Sequence, residues 1–416
     1  MLFYNLVIFL YWCVVHLVSL FNDKARKWVS GRKNIFSTIQ KTLQEKNING
    51  NVVWFHCASL GEFEQGRPVI EGFKKANPNV KIVLTFFSPS GYEMRKNYEF
   101  ADAVFYLPLD FKSNAQQFIK LINPKAAIFI KYEFWLNYIA ELNDKNIPIY
   151  LISAVFRPEQ HFFKWYGSIF FKALKSYKKI FLQDVSSFKL LKEKGLSNIE
   201  IAGDTRFDRV FEIAQTKTAL PVIDSFCNNH KTLVAGSTWP KDEEIVIETF
   251  KKLKEKHADL KLIIASHEVN KNSTARIEKL IGNTKFSLYT NPTNIESADV
   301  LIIDTIGILS QLYRYGTAAF IGGGFNDGIH NISEALVYNI PVAFGANHHK
   351  FVEAAEALQL NIAKEVNSSD ELFLFFDKII ADESYRNQLS TEVKNYMQNK
   401  AGATNKILLE LNTILI

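Results

Sequence analysis

Short runs of consecutive apolar residues alternate along the chain with segments in which apolar residues recur at helical spacing. The apolar runs are three to five residues long and end in turn residues, which is typical of strands buried on both faces of a parallel sheet. Segments such as residues 65–76 and 113–122 have the helical period. We predict strands over residues 52–55, 82–85, 103–106, 126–130, 149–153, 179–183, 232–235, 261–265, 300–303, 317–321 and 342–344. Strands and helices in alternation indicate a doubly wound α/β fold.

The alternation is interrupted once, by a polar stretch over residues 209–229 that contains Pro221. A chain of 416 residues is too long for one ordinary core. We therefore interpret the stretch as a linker between two Rossmann-like domains, with the last helices, within residues 371–416, capping the second domain or crossing back to the first. The predicted segments are a hydrophobic anchor of residues 1–22, a first domain of residues 23–212 and a second domain of residues 213–416.

The first of these segments is almost entirely apolar. Residues 2–21 carry no charge, and Lys24, Arg26 and Lys27 follow soon after. Such a run can span a bilayer or lie along its surface, and the positive flank predicts that the rest of the chain stays on the cytoplasmic side. We expect a retained membrane anchor. The alternative is a hydrophobic first helix that packs on the protein itself.

Charge and cysteine content narrow the classes of partner. The net charge of +6 favours anionic partners such as phosphates or acidic lipid, but no dense block of Lys and Arg predicts binding to nucleic acid. The three cysteines are widely spaced and form no C-x-x-C pair, so neither a disulfide framework nor a zinc site is indicated. The chain also lacks an Asp-x-Asp motif, and the adjacent His348 and His349 lack the spacing of helical metal ligands. We therefore expect no metal.

Candidate chemistry lies in the loops that follow the predicted strands, because ligands of open α/β sheets bind there. In G-S-T-W-P, Gly236 permits a tight turn, and Ser237 or Thr238 can cap the following helix. The free N–H groups of such an end can bind an anion, although an ordinary capped helix has the same pattern. The next strand is followed directly by Ser266 and His267.

The stretch F-I-G-G-G-F-N-D-G-I-H-N-I-S-E over residues 320–334 is the most informative loop. Asn331 and Glu334 have the spacing of a helix cap and its reciprocal acid. Neither G-x-G-x-x-G nor a P-loop is present, and Glu334 could bind ribose hydroxyls. Taken together, these loops predict a nucleotide half-site in the second domain.

The first domain offers an acid instead, because A-S-L-G-E places Glu62 at a helix start directly after the first strand. Helix-start electrostatics alone also favours an acid there. With these motifs the chain resembles the 3-deoxy-D-manno-octulosonic acid (Kdo) transferases over nearly its whole length. The resemblance implies the GT-B arrangement, in which two Rossmann-like domains face a cleft. The matching motifs are W-F-H-C-A-S-L-G-E-F at 54–63, L-T-F-F-S-P-S-G at 84–91, Y-L-P-L-D at 106–110, Y-E-F-W at 132–135, G-D-T-R-F-D at 203–208, A-G-S-T at 235–238, D-T-I-G at 304–307, H-N-I-S-E at 330–334 and P-V-A-F-G at 341–345.

The resemblance also implies roles for particular residues. The catalytic base of the family falls on Glu62, and its second important acid falls on Glu133, which could orient the acceptor or tune Glu62. This chain has Ser266-His267 where the family commonly has Pro-Arg, and Ile308 where the family has Glu. Either a protonated His267, or Lys271 and the helix termini, would replace the missing arginine charge. The implied contacts to the CMP donor are Ser266, His267, Ile306, Gly307, Ile308, Asn331, Ile332, Ser333 and Glu334.

The implied reaction is a single inverting displacement that transfers Kdo from CMP-Kdo to a lipid A precursor, without a metal or a cofactor. The partners are then the donor, the lipid acceptor and the cytoplasmic face of an inner membrane, with Arg67 and Arg206 as candidates for the acceptor phosphates. Two alternatives remain open. One is another GT-B enzyme, either a UDP-sugar transferase or a nucleotide-sugar epimerase, and the other is a non-catalytic, membrane-tethered protein that binds a nucleotide sugar.

Overall fold

The computed structural model describes residues 1–132, 134–164, 167–216 and 218–415. The chain forms two compact units. The first comprises residues 1–208 together with the C-terminal residues from 401 onward, and the second comprises residues 209–400. Within the described residues, each unit contains one seven-stranded sheet whose strand pairs are all parallel.

The sheet of the first unit has the strand order β3-β2-β1-β4-β5-β6-β7. Its strands are β1 (Val52–Cys57), β2 (Lys81–Phe86), β3 (Ala103–Tyr106), β4 (Pro124–Ile130), β5 (Ile149–Ala154), β6 (Lys179–Leu182) and β7 (Ile199–Ile201). The order reverses between β1 and β4, which is the position where doubly wound sheets open a crevice. Alternate residues of β1 face two separate cores, with Trp54 packed among Phe118 and Phe129 on one side and Phe55 packed against Phe73 on the other.

Helices cover both faces of this sheet. They are α1 (Leu2–Val18), α2 (Asp23–Ser30), α3 (Ile35–Glu45), α4 (Leu60–Ala76), α5 (Pro89–Arg95), α6 (Lys112–Ile122), α7 (Leu136–Asp144), α8 (Ser168–Leu174), α9 (Val185–Glu193), α10 (Thr205–Gln215) and, from the C-terminus, α19 (Ala403–Leu411). Short 3-10 helices lie at His161–Phe163 and Asn412–Leu415. Asp208 accepts hydrogen bonds from the backbone N–H groups of Gly402 and Thr404, at 2.6 Å each, which fastens the start of α19.

The second unit repeats the architecture with the order β10-β11-β9-β8-β12-β13-β14. Its strands are β8 (Thr232–Thr238), β9 (Lys261–Ser266), β10 (Phe286–Leu288), β11 (Val300–Ile302), β12 (Ala318–Ile321), β13 (Val342–Phe344) and β14 (Ala363–Glu365). The reversal of order falls between β8 and β12. The helices are α11 (Pro221–Cys227), α12 (Pro240–Lys256), α13 (Lys271–Ile281), α14 (Leu309–Leu312), α15 (Ser333–Leu336), α16 (Val352–Gln359), α17 (Ser369–Ala381) and α18 (Glu383–Lys400), with a 3-10 helix at Tyr313–Tyr315.

The stretch over residues 209–229, which we interpret as a linker, contains the end of α10 and all of α11. The division between the units falls inside α10, and α11 follows after a few residues. Pro221 occupies the first turn of α11, where its missing N–H costs nothing. Ile223 and Phe226 on this helix are buried. The buried side chains of Ile223 and Phe226 give α11 an apolar face, although the segment as a whole is polar.

Helix α1 lies on the first unit with most of its apolar surface exposed. None of its seventeen residues, all of which are described, is buried, and Leu2 and Phe3 are 89% and 79% exposed. It is held by hydrogen bonds from Tyr4 to Asp110 and from Asn137 to Asn5, and by ring contacts of Tyr11 with Trp28 and Phe87. Among the described residues, the structure contains no helix with both the length and the apolar character needed to cross a bilayer.

Candidate functional sites

Glu62 lies at the switch point of the first sheet, in the first turn of α4, directly after β1. Ser59 is the N-cap residue of α4, and its hydroxyl donates a hydrogen bond to Glu62 Oε2. The carboxylate is partly exposed to solvent. The arrangement therefore presents a fixed carboxylate that can still reach a ligand.

A buried polar network fixes the turn of α4 that follows Glu62. Thr205 donates to the carbonyl oxygen of Gln65 at 2.5 Å, and the hydroxyls of Ser153 and Thr205 lie 3.1 Å apart. The side chain of Gln183 donates to that of Gln65 at 3.2 Å. The start of α4 is thus tied to β5, to α10 and to the residue after β6. Because these partners are fully or partly buried, Glu62 is held on a rigid support.

The neighbouring loop after β4 brings Tyr132 close to Glu62. The pKa of Tyr132 is raised, mainly by burial and further by the charges of Asp184 and Glu62. Arg157 and a hydrogen bond to Gln160 oppose the rise. Lys131, with φ 72°, places its ammonium 5.6 Å from the centre of the Tyr132 ring. The predicted second acid, Glu133, lies outside the described residues.

Asp110 holds the start of α7, just beyond this loop. Its carboxylate accepts from the backbone N–H groups of Asn137 and Tyr138, at 3.2 Å each, and from the hydroxyl of Tyr4 at 2.5 Å. Asp110 therefore caps α7 from another part of the chain, whereas the N-cap residue Trp135 makes no side-chain cap. Burial raises the pKa of Asp110 to about 6, although the hydrogen bonds from Tyr4 and the two N–H groups oppose the rise.

The two arginines proposed for acceptor phosphates are engaged in ion pairs. Arg67 contacts Glu71 at 2.6 Å and Glu64 at 3.6 Å along α4. Arg206 contacts Asp204 at 2.7 Å. An anionic ligand would have to compete with these carboxylates, which makes either arginine a weaker candidate than an unpaired cation.

In the second unit, the loops after β8 and β12 pack directly on each other at the switch point. Ser237 has φ 54°, and the register with β9 shifts around it, so β8 ends in a bulge. A Cβ on Gly322 would lie 2.2 Å from the carbonyl oxygen of Ser237, and one on Gly324 would lie 2.5 Å from the backbone nitrogen of Gly345. The close approach that the glycine run permits is therefore to the protein's own backbone. The adjacent Thr238 is buried and donates to the carbonyl of Ala265 at 3.3 Å.

Asp242 joins these two loops. Its Oδ2 accepts from the backbone N–H groups of Trp239 and Gly323, at 2.8 Å each. Its Oδ1 is buried and has no hydrogen-bond partner within the described part of the chain. Burial raises the pKa of Asp242 to about 6, against the effect of the two N–H groups. This residue was missed in the sequence, where it reads as an ordinary first-turn acid of α12.

Ser266 faces inward, toward a buried acid. Its hydroxyl donates to Glu243 Oε1 at 2.7 Å, and Glu243 also receives Arg276 in a bidentate pair at 2.5 and 3.0 Å. Glu243 is fully buried. The hydrogen bond to Glu243 raises the pKa of Arg276, although burial opposes the rise. The structure thus places Arg276, paired with Glu243, close to the loop in which this chain lacks the arginine that is common in the family.

His267 belongs to a stack of three rings. Its ring lies 4.6 Å from that of Trp239, at an interplanar angle of 21°, and 4.5 Å from that of His330, at 24°. Trp239 Nε1 donates to His330 Nε2 at 3.4 Å. The stack brings together the loops after β8, β9 and β12. His330 stands inside the H-N-I-S-E motif but was not singled out in the sequence.

The remaining H-N-I-S-E residues form the start of α15. Asn331 Oδ1 accepts from the N–H and the hydroxyl of Ser333, at 3.1 and 2.6 Å, and Asn331 Nδ2 donates to Glu334 at 3.3 Å. Burial raises the pKa of Glu334, and the hydrogen bond from Asn331 opposes the rise. The side chain of Ile332 is buried, so its contribution to a site would come from the backbone. Asn331 and Glu334 are thus close together, as their spacing predicts.

The loop after β11 contributes the other predicted donor residues. Ile306 is 81% exposed, and Gly307 has φ 92° with open space on the side where a Cβ would project. Ile308 precedes α14, whose first residue, Leu309, packs beside Gly236 at the end of β8. The loop therefore leads into the second switch point. In the described ranges, no group of three or more His, Cys, Asp or Glu side chains is placed to hold a metal ion.

Comparison with known proteins identifies relatives among the Kdo transferases, the family that the motifs resemble. Residues 31–209 match a family model described as 3-deoxy-D-manno-octulosonic-acid transferase. A protein of that name from Aquifex aeolicus is 28% identical over 354 residues, which cover 84% of this chain and 91% of the relative. One from Haemophilus influenzae is 27% identical over 373 residues, 86% of this chain and 85% of the relative.

Solved structures share the fold at low sequence identity. A UDP-GlcNAc 2-epimerase from Neisseria meningitidis aligns with a TM-score of 0.62 at 15% identity, over 87% of this chain and all of that one. A glycosyltransferase from Rickettsia africae aligns at 0.56 and 15% identity, over 88% and 98% of the two chains. These likenesses concern the fold alone, and they confirm the predicted GT-B class of two Rossmann-like units. The family match over residues 31–209 and the curated relatives show that the chain is a homologue of the Kdo transferases and a glycosyltransferase, as its motifs predict.

Proposed function

We propose that this protein transfers Kdo from CMP-Kdo to a lipid A precursor by an inverting displacement that requires no metal. The observation that carries the proposal is the position of Glu62. It stands at the switch point of the first sheet, inside the segment that matches the Kdo-transferase model, with its carboxylate held by Ser59 and open to solvent.

Glu62 acts as the general base. A sugar hydroxyl has a pKa far above neutrality, so its attack needs a carboxylate within hydrogen-bond reach to accept the proton as the bond forms. The acceptor oxygen bonds to carbon 2 of Kdo, the bond from carbon 2 to the phosphate oxygen breaks, and CMP leaves with the electron pair. The rigid support of α4 by Gln65 and Thr205 keeps the base in place. Glu133 is proposed to orient the acceptor or to tune Glu62.

The second unit holds the donor. The start of α12 is proposed to receive the phosphate through its backbone N–H groups. Glu334, on a partly exposed helix start, is proposed to accept ribose hydroxyls, and the exposed turn at Gly307 to contact the cytosine or the sugar through its backbone. His267 supplies positive charge where the family commonly has an arginine.

Helix α1 is proposed to lie on the cytoplasmic face of the inner membrane. Its exposed apolar side chains provide the surface that an interfacial helix buries, and Lys24 and Lys27 follow it. Beside α1, a cavity of about 720 Å³ is lined by Trp12, Arg26, Trp28 and Lys33, among others. This mixture of aromatic and basic side chains suits part of a lipid acceptor.

The activity is tested with the detergent-solubilised full chain, CMP-Kdo and a tetra-acylated lipid A precursor. We expect acceptor-dependent release of CMP and a product heavier by one Kdo residue, which is Kdo less one water. Parallel reactions with UDP-sugars test the UDP-sugar enzymes of the same fold, and we expect no turnover. CMP that is never released in the presence of acceptor would leave only a binding protein and would refute the proposal.

Membrane attachment is tested separately by sedimentation with vesicles that contain phosphatidylglycerol. Leu6 and Leu10 are each 53% exposed on α1, so Leu6→Glu with Leu10→Glu should release the protein from the vesicles without unfolding it. The matched control is Leu409→Glu, at a position 75% exposed on α19. Equal binding of the double variant and the control would remove α1 from the membrane contact.

A further inference from the structure

The three-ring stack assigns different protonation behaviour to its two histidines. Trp239 and His330 meet edge to edge through Nε1 and Nε2, and the ring of His267 lies nearly parallel to both, at 4.6 and 4.5 Å. We infer that Trp239 holds His330 neutral with its proton on Nδ1, and that His267 is the member of the pair that takes up a proton and meets an anionic ligand.

The argument for His330 follows from the donors available. An indole N–H can only donate, so Nε2 of His330 must be the acceptor and its proton must be on Nδ1. Protonating Nε2 would turn two N–H donors toward each other at 3.4 Å. Burial and the neighbouring His267 also lower the pKa of His330, in the same direction. His330 therefore offers a fixed Nδ1–H donor and carries no charge near neutral pH.

His267 is in the opposite position. Its side chain is exposed, and neither of its ring nitrogens has a hydrogen bond within the part of the chain that the structure describes. A protonated His267 ring would lie over the face of Trp239, where a cation is stabilised. Because two charged imidazoles 4.5 Å apart would repel each other, a neutral His330 is what allows His267 to become charged. At most one of the two imidazoles is therefore charged at a time.

Other charged groups on the surrounding elements set the background for this titration. Glu243 is matched by Arg276, and Asp242 is turned toward the N–H groups of Trp239 and Gly323. The charged groups nearest in the chain to the stack include Asp242, Glu243, Glu268, Lys271, Arg276, Asp327 and Glu334. None of them is paired with His267 among the described residues, so a bound phosphate would be its principal counter-charge.

A phosphate bound beside the exposed His267 favours the charged imidazole, so binding draws a proton from the buffer. This step rests on the proposed donor site, and it predicts that affinity for the nucleotide rises as the pH falls from 8 to 6. An arginine at this position would remove the dependence, because its charge does not titrate in that range. The residue that departs from the family pattern thus makes donor binding sensitive to pH.

The tautomer is tested on the free protein by NMR of ¹⁵N-labelled histidine, with His330→Gln and His267→Gln used to assign the two rings. We expect His330 as the Nδ1–H form with no titration between pH 5.5 and 8. Trp239→Phe keeps the stack but removes the indole donor, and His330 should then begin to titrate. An Nε2–H form of His330, or titration of His330 in the wild type, overturns the inference.

Proton uptake is tested by calorimetry of CMP binding in two buffers that differ in ionisation enthalpy. Wild type should take up a fraction of a proton more than His267→Arg. The arginine variant supplies the baseline, since a phosphate monoester itself takes up a proton near pH 6. CMP binding with equal uptake in both proteins contradicts the role of His267. Failure of CMP to bind at all counts against the proposed donor, while the NMR result still decides the tautomers.

Discussion

The two switch points have the same topology and opposite chemistry. In the first unit, Glu62 is turned outward at the start of α4 and held there by Ser59. In the second, the acids of the corresponding helix, Asp242 and Glu243, are turned inward and fully buried. Their carboxylates lie beside the exposed ring of His267, and Asp242 binds the N–H groups of Trp239 and Gly323. The two switch points thus differ in the direction in which the acids of their first helical turn point.

The largest expected effect comes from removing the outward acid. Glu62→Ala should lower the turnover number by about 10³-fold, the range of a lost general base. Affinity for CMP should be unchanged, since the proposed donor residues belong to the other unit. Transfer assays and CMP titrations measure the two quantities. The matched control is Glu64→Ala, an acid on the same helix that binds Arg95. Wild-type turnover in Glu62→Ala would remove the asymmetry between the sites.

The second largest effect is expected from disturbing the close contact between the loops after β8 and β12 in the second unit. Gly322→Ala would place a Cβ against the backbone of Ser237 and Thr238, which requires the main chain to move and should cost about 3 kcal/mol in the free energy of unfolding. CMP affinity should fall with it. Gly307→Ala is the comparison, because its site is open and only the positive φ is strained. Thermal or chemical unfolding should therefore rank Gly322→Ala as the more damaging change.

Removing the inward acid should have a somewhat smaller effect. Asp242→Ala leaves the N–H groups of Trp239 and Gly323 without their acceptor, and we expect a loss of about 2–3 kcal/mol in stability. Weaker CMP binding should accompany it, because both loops of the donor site lose a shared support. Asp242→Asn retains one acceptor oxygen and should recover most of the loss. A similar defect in both variants would mean that the negative charge, and not the hydrogen-bond acceptor, holds the loops.

The interior strands could be predicted from the sequence because their physics is local. Strands such as β1, β4 and β8 are buried on both faces, so their apolar runs are continuous. The short strands β7, β10 and β14 were missed. Each lies at an edge of its sheet and is only partly buried. An edge strand is defined by its pairing with a neighbour, and pairing leaves no periodic signal in so short a segment.

The site residues also differ in whether a local pattern in the sequence reveals them. Glu62 could be singled out because it follows the first strand in the A-S-L-G-E motif, and Asn331 and Glu334 because a cap and its acid are three residues apart in the chain. Asp110 and Asp242 could not, since their partners come from distant segments such as α1 and the loop after β12. The contact of His330 with Trp239 spans 91 positions. Only the order of the strands brings these residues together.

Asp110 provides the last and smallest comparison, since it is the buried acid of the first unit. Its folded pKa of about 6 lies above the ordinary 3.8, so its contribution to stability is fully present below pH 4 and is lost as the pH rises through 6. The hydroxyl of Tyr4 stabilises the ionised form. Tyr4→Phe should therefore cost about 2 kcal/mol at pH 8, where the acceptor is charged, and about 1 kcal/mol at pH 5.

Chemical unfolding at the two pH values measures this difference. Tyr11→Phe is the matched control, because Tyr11 is on the same helix and its hydroxyl has no hydrogen bond among the described residues. An equal cost of Tyr4→Phe at both pH values would mean that Asp110 does not change its charge in this range. The first unit would then hold α1 and the start of α7 by a carboxylate of fixed charge, and its buried acid would differ from Asp242 in the second unit.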